Sequence, residues 1–237
     1  MNVILGQSQH GYDYAKGDSV LRQPVLEELA TVIREKLESH GWLVMRQPFV
    51  SSDEFRVIGE KLGSILSDGR VQIMANPVSL ATSDKPLPLH NDEPLARYLA
   101  WYCEKQQAEH AVPTDLLDIS DFRTALGEDV IRTLSTIVIP GSGRQHKDER
   151  ALIMLRGEAR PNFVPWARHV LDTTEKEHAL QAFRDYVVAK AERPGAIIPV
   201  TLSEGEMLFV HNNRFLHGRS SLSAGSARCL RRLWVGD

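Results

Sequence analysis

The sequence predicts a mainly β core with helices flanking it, and three observations predict it. Short strand-like runs separated by turn residues dominate from Val71 onward, two amphipathic helical stretches precede them, and one helical insert interrupts them. Strand spacing by itself supports a mixed α+β chain with a sandwich or barrel core.

Over residues 24–40, Val25, Leu26, Leu29, Val32, Ile33 and Leu37 recur at helical spacing with Glu27, Glu28, Arg34, Glu35 and Lys36 between them, which predicts an amphipathic packing helix. Ser52-Asp53-Glu54 opens a second helix whose acidic first turn suits the positive end of the helix dipole; Gly63 and a turn at Ser67-Asp68-Gly69 bracket its end. A helical region is expected over 124–137. The insert at 175–191 places Leu180, Phe183, Tyr186, Val187 and Ala191 at helical spacing, and strands return over 196–202 and 206–210. Residues 228–234 form a last strand-like run, whose alternation puts Arg228, Leu230 and Arg232 on one face and Arg231 on the other.

Composition sets the outer bounds. With 237 residues, 42% hydrophobic, 25% charged and a formal charge of −3, the chain is long enough to bury a full core, and one domain over 1–237 is the simplest count. That balance leaves no electrostatic footprint for DNA or RNA, so nucleic acid is not an expected partner. No apolar stretch approaches the roughly 20 residues that span a bilayer, and residues 1–11 lack the basic-then-apolar order of a secretory signal. Cys103 and Cys229 both lie in strand-like apolar runs, so reduced buried thiols and a cytoplasmic location are expected.

The chemistry concentrates in two segments. Leu87-Pro88-Leu89-His90-Asn91-Asp92 reads as an extended strand over 87–92, and residues i and i+2 of a strand point to the same side. His90 and Asp92 then reach one metal while Asn91 faces away. Asn212-Asn213-Arg214-Phe215-Leu216-His217-Gly218-Arg219 follows the strand-like Glu206-Met207-Leu208-Phe209-Val210 and an Asn-rich turn, and delivers His217 from a second strand end. Two neutral imidazoles and one carboxylate hold a divalent metal on one triangular face and leave other positions open, which is the ligand set of non-heme Fe(II) oxygenases. A second His-x-Asp, His146-Lys147-Asp148, sits among turn and charged residues with no apolar strand to orient it, and is read as solvated loop.

On these residues the chain resembles the iron(II)- and 2-oxoglutarate-dependent dioxygenases, specifically the taurine dioxygenase and clavaminate synthase-like branch, through most of its length. Residues 24–40 followed by Gly41-Trp42-Leu43-Val44-Met45-Arg46 resemble that branch's opening helix and first core strand, 51–63 its next helix, and Trp101-Tyr102-Cys103-Glu104 the strand after the metal motif. Residues 202–209 are similar to the turn and strand before the distal histidine, and 212–219 to the segment that carries it, with His211 in place of the usual aspartate and read as a turn residue.

The resemblance implies a double-stranded β-helix, or jelly roll, with the metal at the mouth between two facing antiparallel sheets. It implies Fe(II) on His90, Asp92 and His217, with 2-oxoglutarate and O2 as cosubstrates. Thr114, in Val112-Pro113-Thr114-Asp115, takes the place of the threonine that helps to bind 2-oxoglutarate, although the family's paired glycines are absent. Arg228 matches the arginine on the distal carboxylate, where a planar guanidinium forms two parallel hydrogen bonds. Arg232, four residues on, resembles the position that contacts a substrate's anionic group; the other reading is a salt-bridged strand-end arginine. Glu93 is a candidate for a substrate amine or else a partner of a neighbour such as Arg97, and Arg160 is a further candidate contact.

The implied reaction hydroxylates an unactivated C–H bond of a small molecule, best read as a free amino acid or related carboxylate, and releases succinate and CO2. Asp92 favours hydroxylation over halogenation, because halogenases of the superfamily generally lack the carboxylate ligand; desaturation and ring formation stay open. Two other readings stay open as well. One is a zinc hydrolase on the same triad, which leaves Arg228 and Thr114 without a role; the other is a non-catalytic small-acid-binding module of the same fold. The polar segments 77–88 and 141–162 are long by ordinary loop standards, and at least one is expected to act as a lid.

Overall fold

The computed structural model describes residues 23–46, 50–107, 109, 111–140, 150–156, 158–223 and 226–237. The expectations for residues 1–11 and for His146-Lys147-Asp148 lie outside the described residues. Helix α1 (Gln23–His40) opens the described chain and buries Leu26, Ala30, Ile33 and Leu37 at the spacing its sequence predicts. Strand β1 (Trp42–Met45) leads to α2 (Ser52–Leu62), whose start is fixed by a capping box in which the Ser51 side chain accepts from Glu54 N and the Glu54 carboxylate accepts from Ser51 N. Strands β2 (Ile65–Gln72), β3 (Leu87–His90), β4 (Tyr98–Lys105) and β5 (Thr114–Asp118) follow, with a one-turn 3-10 helix at Leu80–Thr82 ahead of β3. Next come α3 (Phe122–Leu126), α4 (Glu128–Ser135), the short strands β6 (Val138–Ile139), β7 (Arg150–Ala151), β8 (Ile153–Arg156) and β9 (Glu158–Pro161), and then α5 (Thr174–Ala191). Four strands close the chain: β10 (Ile197–Val200), β11 (Met207–His211), β12 (Phe215–Arg219) and β13 (Cys229–Val235).

Two antiparallel sheets carry the architecture. The larger runs β1-β11-β4-β13-β2 and the smaller β10-β5-β12-β3. Strand alternation sorts their side chains into layers. Leu43, Met45 and Phe209 face α1 and α2, where they meet Leu37, Phe55 and Ile58. Val44, Leu208 and Val210 share a second cluster with Leu116, Phe215 and Trp101, so this core joins the two sheets. Leu117 and Leu216 point the other way, into a third cluster with Leu134, Ile153, Phe183 and Val187 from the remaining helices and hairpins. The result is a mainly β fold with helices on its two outer faces, as the sequence predicts.

Four elements differ from expectation, each for a local reason. Ser67-Asp68-Gly69 is strand, not turn: β2 pairs along β13, and on this edge position Asp68 is gripped by both ends of the Arg231 guanidinium at 2.8 and 2.9 Å. The helical region over 124–137 is two helices broken at Gly127, whose φ of 82° ends one and starts the next. The strand expected over 87–92 stops at His90. From Arg150 onward the segment 141–162 forms β7, β8 and β9, so the described part is hairpin rather than loop.

The pairing that matters most for the site is β12 against β3. His217 stands directly opposite His90, and the register shifts between His217 and Arg219. Gly218 makes this approach feasible, since a Cβ there would lie 2.7 Å from Leu87 O and 3.1 Å from Leu89 N. Both are backbone atoms of a paired strand and have little room to retreat. Gly218→Ala is therefore expected to destabilise the fold by about 2 kcal/mol, read as a lowered urea midpoint; an unchanged midpoint would refute the close-approach account.

Candidate metal centre

The ligand atoms of His90, Asp92 and His217 lie within 4.8 Å of one another, the arrangement a shared metal ion requires. His90 Nε2 faces Asp92 Oδ1 across 3.7 Å, and His217 Nε2 faces Asp92 Oδ2 across 3.7 Å. All three side chains are almost wholly enclosed. The histidines come from neighbouring strands of the smaller sheet, and their rings stand 4.2 Å apart between centroids.

Each ligand is oriented by its surroundings. His90 Nδ1 lies 2.9 Å from Pro88 O, so the proton on Nδ1 donates there and the Nε2 lone pair is directed at the centre. Burial, followed by the proximity of His90, pushes the His217 pKa down to about 3, so its imidazole stays neutral with a lone pair to donate. Trp101 meets the His217 ring edge-on at 5.1 Å, and Trp166 covers the His90 ring at 4.9 Å. Asp92 is buried, a cost that the Arg232 guanidinium and the neighbouring imidazoles more than offset, so its carboxyl is held far below the usual carboxylate range.

The alternation read from the sequence survives the early end of β3. Asn91 turns away from the metal side: its Nδ2 donates to Asn212 O at 2.7 Å and Phe215 O at 3.2 Å, and its Oδ1 accepts from Phe163 N. These bonds fasten the ligand loop to the turn ahead of the distal histidine.

A cavity of about 30 Å³ beside His217 is lined by Thr114, Trp101, Gly218 and three arginines, Arg219, Arg228 and Arg232, and among the described residues no carboxylate lies in its wall. Arg228 is buried, and its Nη2 donates to Thr114 Oγ1 at 3.1 Å; among the described residues no carboxylate pairs with it. Burial, with Arg219 nearby, pushes its pKa down to about 10, which still leaves it charged near neutral pH. The sequence-matched pair Arg228 and Thr114 thus meets in space across 114 residues. Arg219, which sequence reading left without a role, donates to four backbone carbonyls, at Leu80, Ser83, Lys85 and Ser220, and fastens the segment before β3.

The three candidate substrate contacts have protein partners. Arg232 lines the cavity and its Nη1 donates to Asp92 Oδ2 at 2.8 Å, so the ion-pair reading describes it here. Glu93 is buried and paired with Arg150, while Arg97 pairs instead with Glu38 and Asp237; the expected Glu93–Arg97 pairing is corrected on that geometry. Arg160 donates to Asp237 at 2.7 Å. Neither Glu93 nor Arg160 lines the cavity. His211 is the last residue of β11 rather than a turn residue, buried edge-on against Tyr98 and outside the ligand cluster. The sequence reading also missed Trp234, whose Nε1 donates to Asp92 Oδ2 at 2.9 Å; its position two residues beyond Arg232 on the same strand was the available signal.

No family model matches the chain and no curated protein matches it, so the likeness to known proteins is one of fold. A mutant of the non-heme iron oxygenase OrfP in complex with (3S)-hydroxy-L-Arg superposes with a TM-score of 0.68 at 18% identity, over 91% of this chain and 80% of that one. Asparagine oxygenase in complex with Fe(II), 2S,3S-3-hydroxyasparagine and succinate gives a TM-score of 0.67 at 13% identity, over 90% and 79%. OrfP with Fe and alpha-ketoglutaric acid gives 0.66 at 17% identity, over 90% and 79%.

The lowered His217 pKa carries a stability consequence. Below its unfolded value of 6.5 the unfolded chain takes up a proton that folded His217 refuses down to about 3. Stability of the metal-free protein should therefore fall as pH drops through that window. Thermal melts between pH 7 and 4 should show this fall, and a shallower one in His217→Gln; parallel curves would contradict it.

Proposed function

We propose that this chain is a non-heme Fe(II)- and 2-oxoglutarate-dependent oxygenase that hydroxylates an unactivated C–H bond of a small, amino-acid-like carboxylate. The observation that carries the reading is the conjunction of a buried two-histidine, one-carboxylate cluster with a buried arginine that has no carboxylate of its own in the adjoining cavity. The residues suit the group. His217 offers a neutral imidazole, His90 directs Nε2 at the centre with Nδ1 on Pro88 O, Asp92 is held anionic, and this mixed nitrogen and oxygen set on one face is the one that suits iron with open positions. The fold shared with OrfP and asparagine oxygenase, whose structures hold iron with 2-oxoglutarate, succinate or hydroxylated amino acids, supports the same reading and its double-stranded β-helix architecture. We read residues 1–237 as one such domain.

When bound, Fe(II) with 2-oxoglutarate and O2 supplies the oxidising power, and the products are an alcohol, succinate and CO2. The chain's own residues do the placing. His90, Asp92 and His217 hold the metal. Arg228 and Thr114 hold the far carboxylate of 2-oxoglutarate, and the desolvated guanidinium gives that contact strength. Arg219 fastens the 80–85 stretch, part of one of the two candidate lid segments, to the cavity wall and helps to exclude water. Arg232, with three guanidinium groups in the wall and no carboxylate there, is the group best placed to receive a substrate anion if it turns from Asp92. The zinc hydrolase and the acid-binding module are weaker readings, since the first gives Arg228 and Thr114 nothing to do and the second gives the triad nothing to do. Two free thiols support a cytosolic setting; among the described residues no helix is long and apolar enough to cross a membrane.

Anaerobic titration of the metal-free protein with Fe(II) and 2-oxoglutarate tests the reading without a substrate. A weak visible charge-transfer band is expected in the wild type and absent in His217→Ala; no band in the wild type despite stoichiometric metal would favour the hydrolase. With an accepted substrate, His90→Ala and Asp92→Ala are expected to abolish succinate formation. Arg228→Ala should instead weaken 2-oxoglutarate binding by about 3 kcal/mol, roughly 100-fold in dissociation constant. An unaltered constant in that variant would remove Arg228 from the cosubstrate site.

A further inference from the structure

The geometry points to Trp234 as a positioning residue for Asp92: its indole N–H holds Oδ2, so that the carboxylate meets a metal through Oδ1. The inference rests on the reading that His90, Asp92 and His217 hold a metal ion. It begins from the early end of β3. His90 and His217 are placed by strand pairing, but Asp92 lies two residues beyond the last paired residue, and no sheet ladder fixes its carboxylate.

That work falls to the opposite sheet. Asp92 Oδ2 accepts from Trp234 Nε1 at 2.9 Å and from Arg232 Nη1 at 2.8 Å. A carboxylate oxygen offers about two acceptor directions, so two donors at these distances saturate Oδ2. Each carboxylate oxygen lies 3.7 Å from one ligand histidine, Oδ1 from His90 Nε2 and Oδ2 from His217 Nε2; with the acceptor directions of Oδ2 taken, Oδ1 is the oxygen that keeps lone pairs for a metal. The carboxylate is thereby prevented from rotating to give both oxygens to the ion.

The two donors are not equivalent. Arg232 lines the cavity on a long charged side chain, and any anion entering there competes for its guanidinium. Trp234 is buried in the core between the sheets, its backbone paired with Leu99 on β4 and Ser67 on β2, and an indole is a donor only. Its N–H stays on Oδ2 when Arg232 turns to an anion. Being neutral, it orients the carboxylate without the added positive charge that would oppose a metal cation. The Arg232 guanidinium lies 4.9 Å from the Trp234 ring, so the two remain stacked while they share one acceptor.

Trp234→Phe keeps most of the core volume and removes the donor. Anaerobic Co(II) and Fe(II) titrations of wild type, Trp234→Phe, Asp92→Ala and the double variant form a cycle. The expected result is a 10- to 100-fold loss of metal affinity in Trp234→Phe, on the order found when an outer hydrogen-bond partner of a ligand is removed. A shifted Fe(II)–2-oxoglutarate band should accompany it, with no further loss when the change is added to Asp92→Ala. Wild-type affinity and band in Trp234→Phe, or an equal loss in the Asp92→Ala background, would overturn the proposal and leave Trp234 as packing. If the phenylalanine variant fails to fold, wild type and Asp92→Ala with ¹⁵N-labelled indoles decide the matter. Trp101 and Trp166 also lie against His217 and His90, so the readout is the Trp234 indole N–H, assigned among the 4 tryptophans with Trp42→Phe, Trp101→Phe and Trp166→Phe. It should move on Zn(II) binding and lose exchange protection in Asp92→Ala, and a Trp234 signal indifferent to both would overturn the proposal. A wild type that binds no metal overturns this inference together with the functional reading, whereas a normal wild-type band beside an unaffected Trp234→Phe overturns this inference alone.

Discussion

One register holds the centre together: β12 lies against β3 with His217 opposite His90. A slip of one residue in either strand would turn its side chains to the other face and send a histidine out of the site. The opposite edge of β12 is secured by β5, where Leu116 pairs with His217. At the end of β12, Gly218 removes the Cβ that would strike the Leu87 carbonyl, and Arg219 ties the incoming chain through backbone oxygens. The two histidines of the candidate metal centre, the cavity wall beside His217 and the segment ahead of β3 take their places from this pairing.

The second constraint is electrostatic. Three arginines line a cavity whose wall, among the described residues, contains no carboxylate, and each is satisfied differently: Arg232 by Asp92, Arg219 by carbonyls, and Arg228 by a threonine hydroxyl. A charged group without an opposite charge is costly to bury. Its depressed pKa is the physical sign of that cost. A fold that keeps Arg228 in this state spends stability on a site that an anionic ligand would relax, as functional sites commonly do. The same logic gives Asp92 two donors from the larger sheet, so that the carboxylate links the two sheets where no backbone pairing joins them.

Much of this was legible along the chain. Helices α1 and α5 follow from apolar spacing, α2 from its capping residues, and β13 from alternation that separates Arg228 and Arg232 from Arg231. The misreadings share a cause. Ser67-Asp68-Gly69 has turn composition, but an edge strand tolerates polar residues when its neighbour supplies partners, and Arg231 does so from 163 positions away. Gly127 divided a continuous helical pattern because a positive φ suits glycine and interrupts a helix. His211 looked like part of a polar turn because its burial depends on Tyr98, which the local sequence does not contain.

The sequence by itself determined the types of the candidate ligands, the i and i+2 spacing of His90 and Asp92, the choice of Arg228 and Thr114 as candidates, and the helices that cover the sheets, because those depend on local periodicity and on the chemistry of single side chains. Only the tertiary structure decided who satisfies whom. It paired Arg232 and Trp234 with Asp92, Arg150 with Glu93, and Arg160 with Asp237, and it assigned Arg219 to the carbonyls of a distant segment. The reason is physical: a buried charge or donor takes whichever partner folding brings within about 3 Å, and that distance is set by sheet order and register rather than by neighbours in the chain.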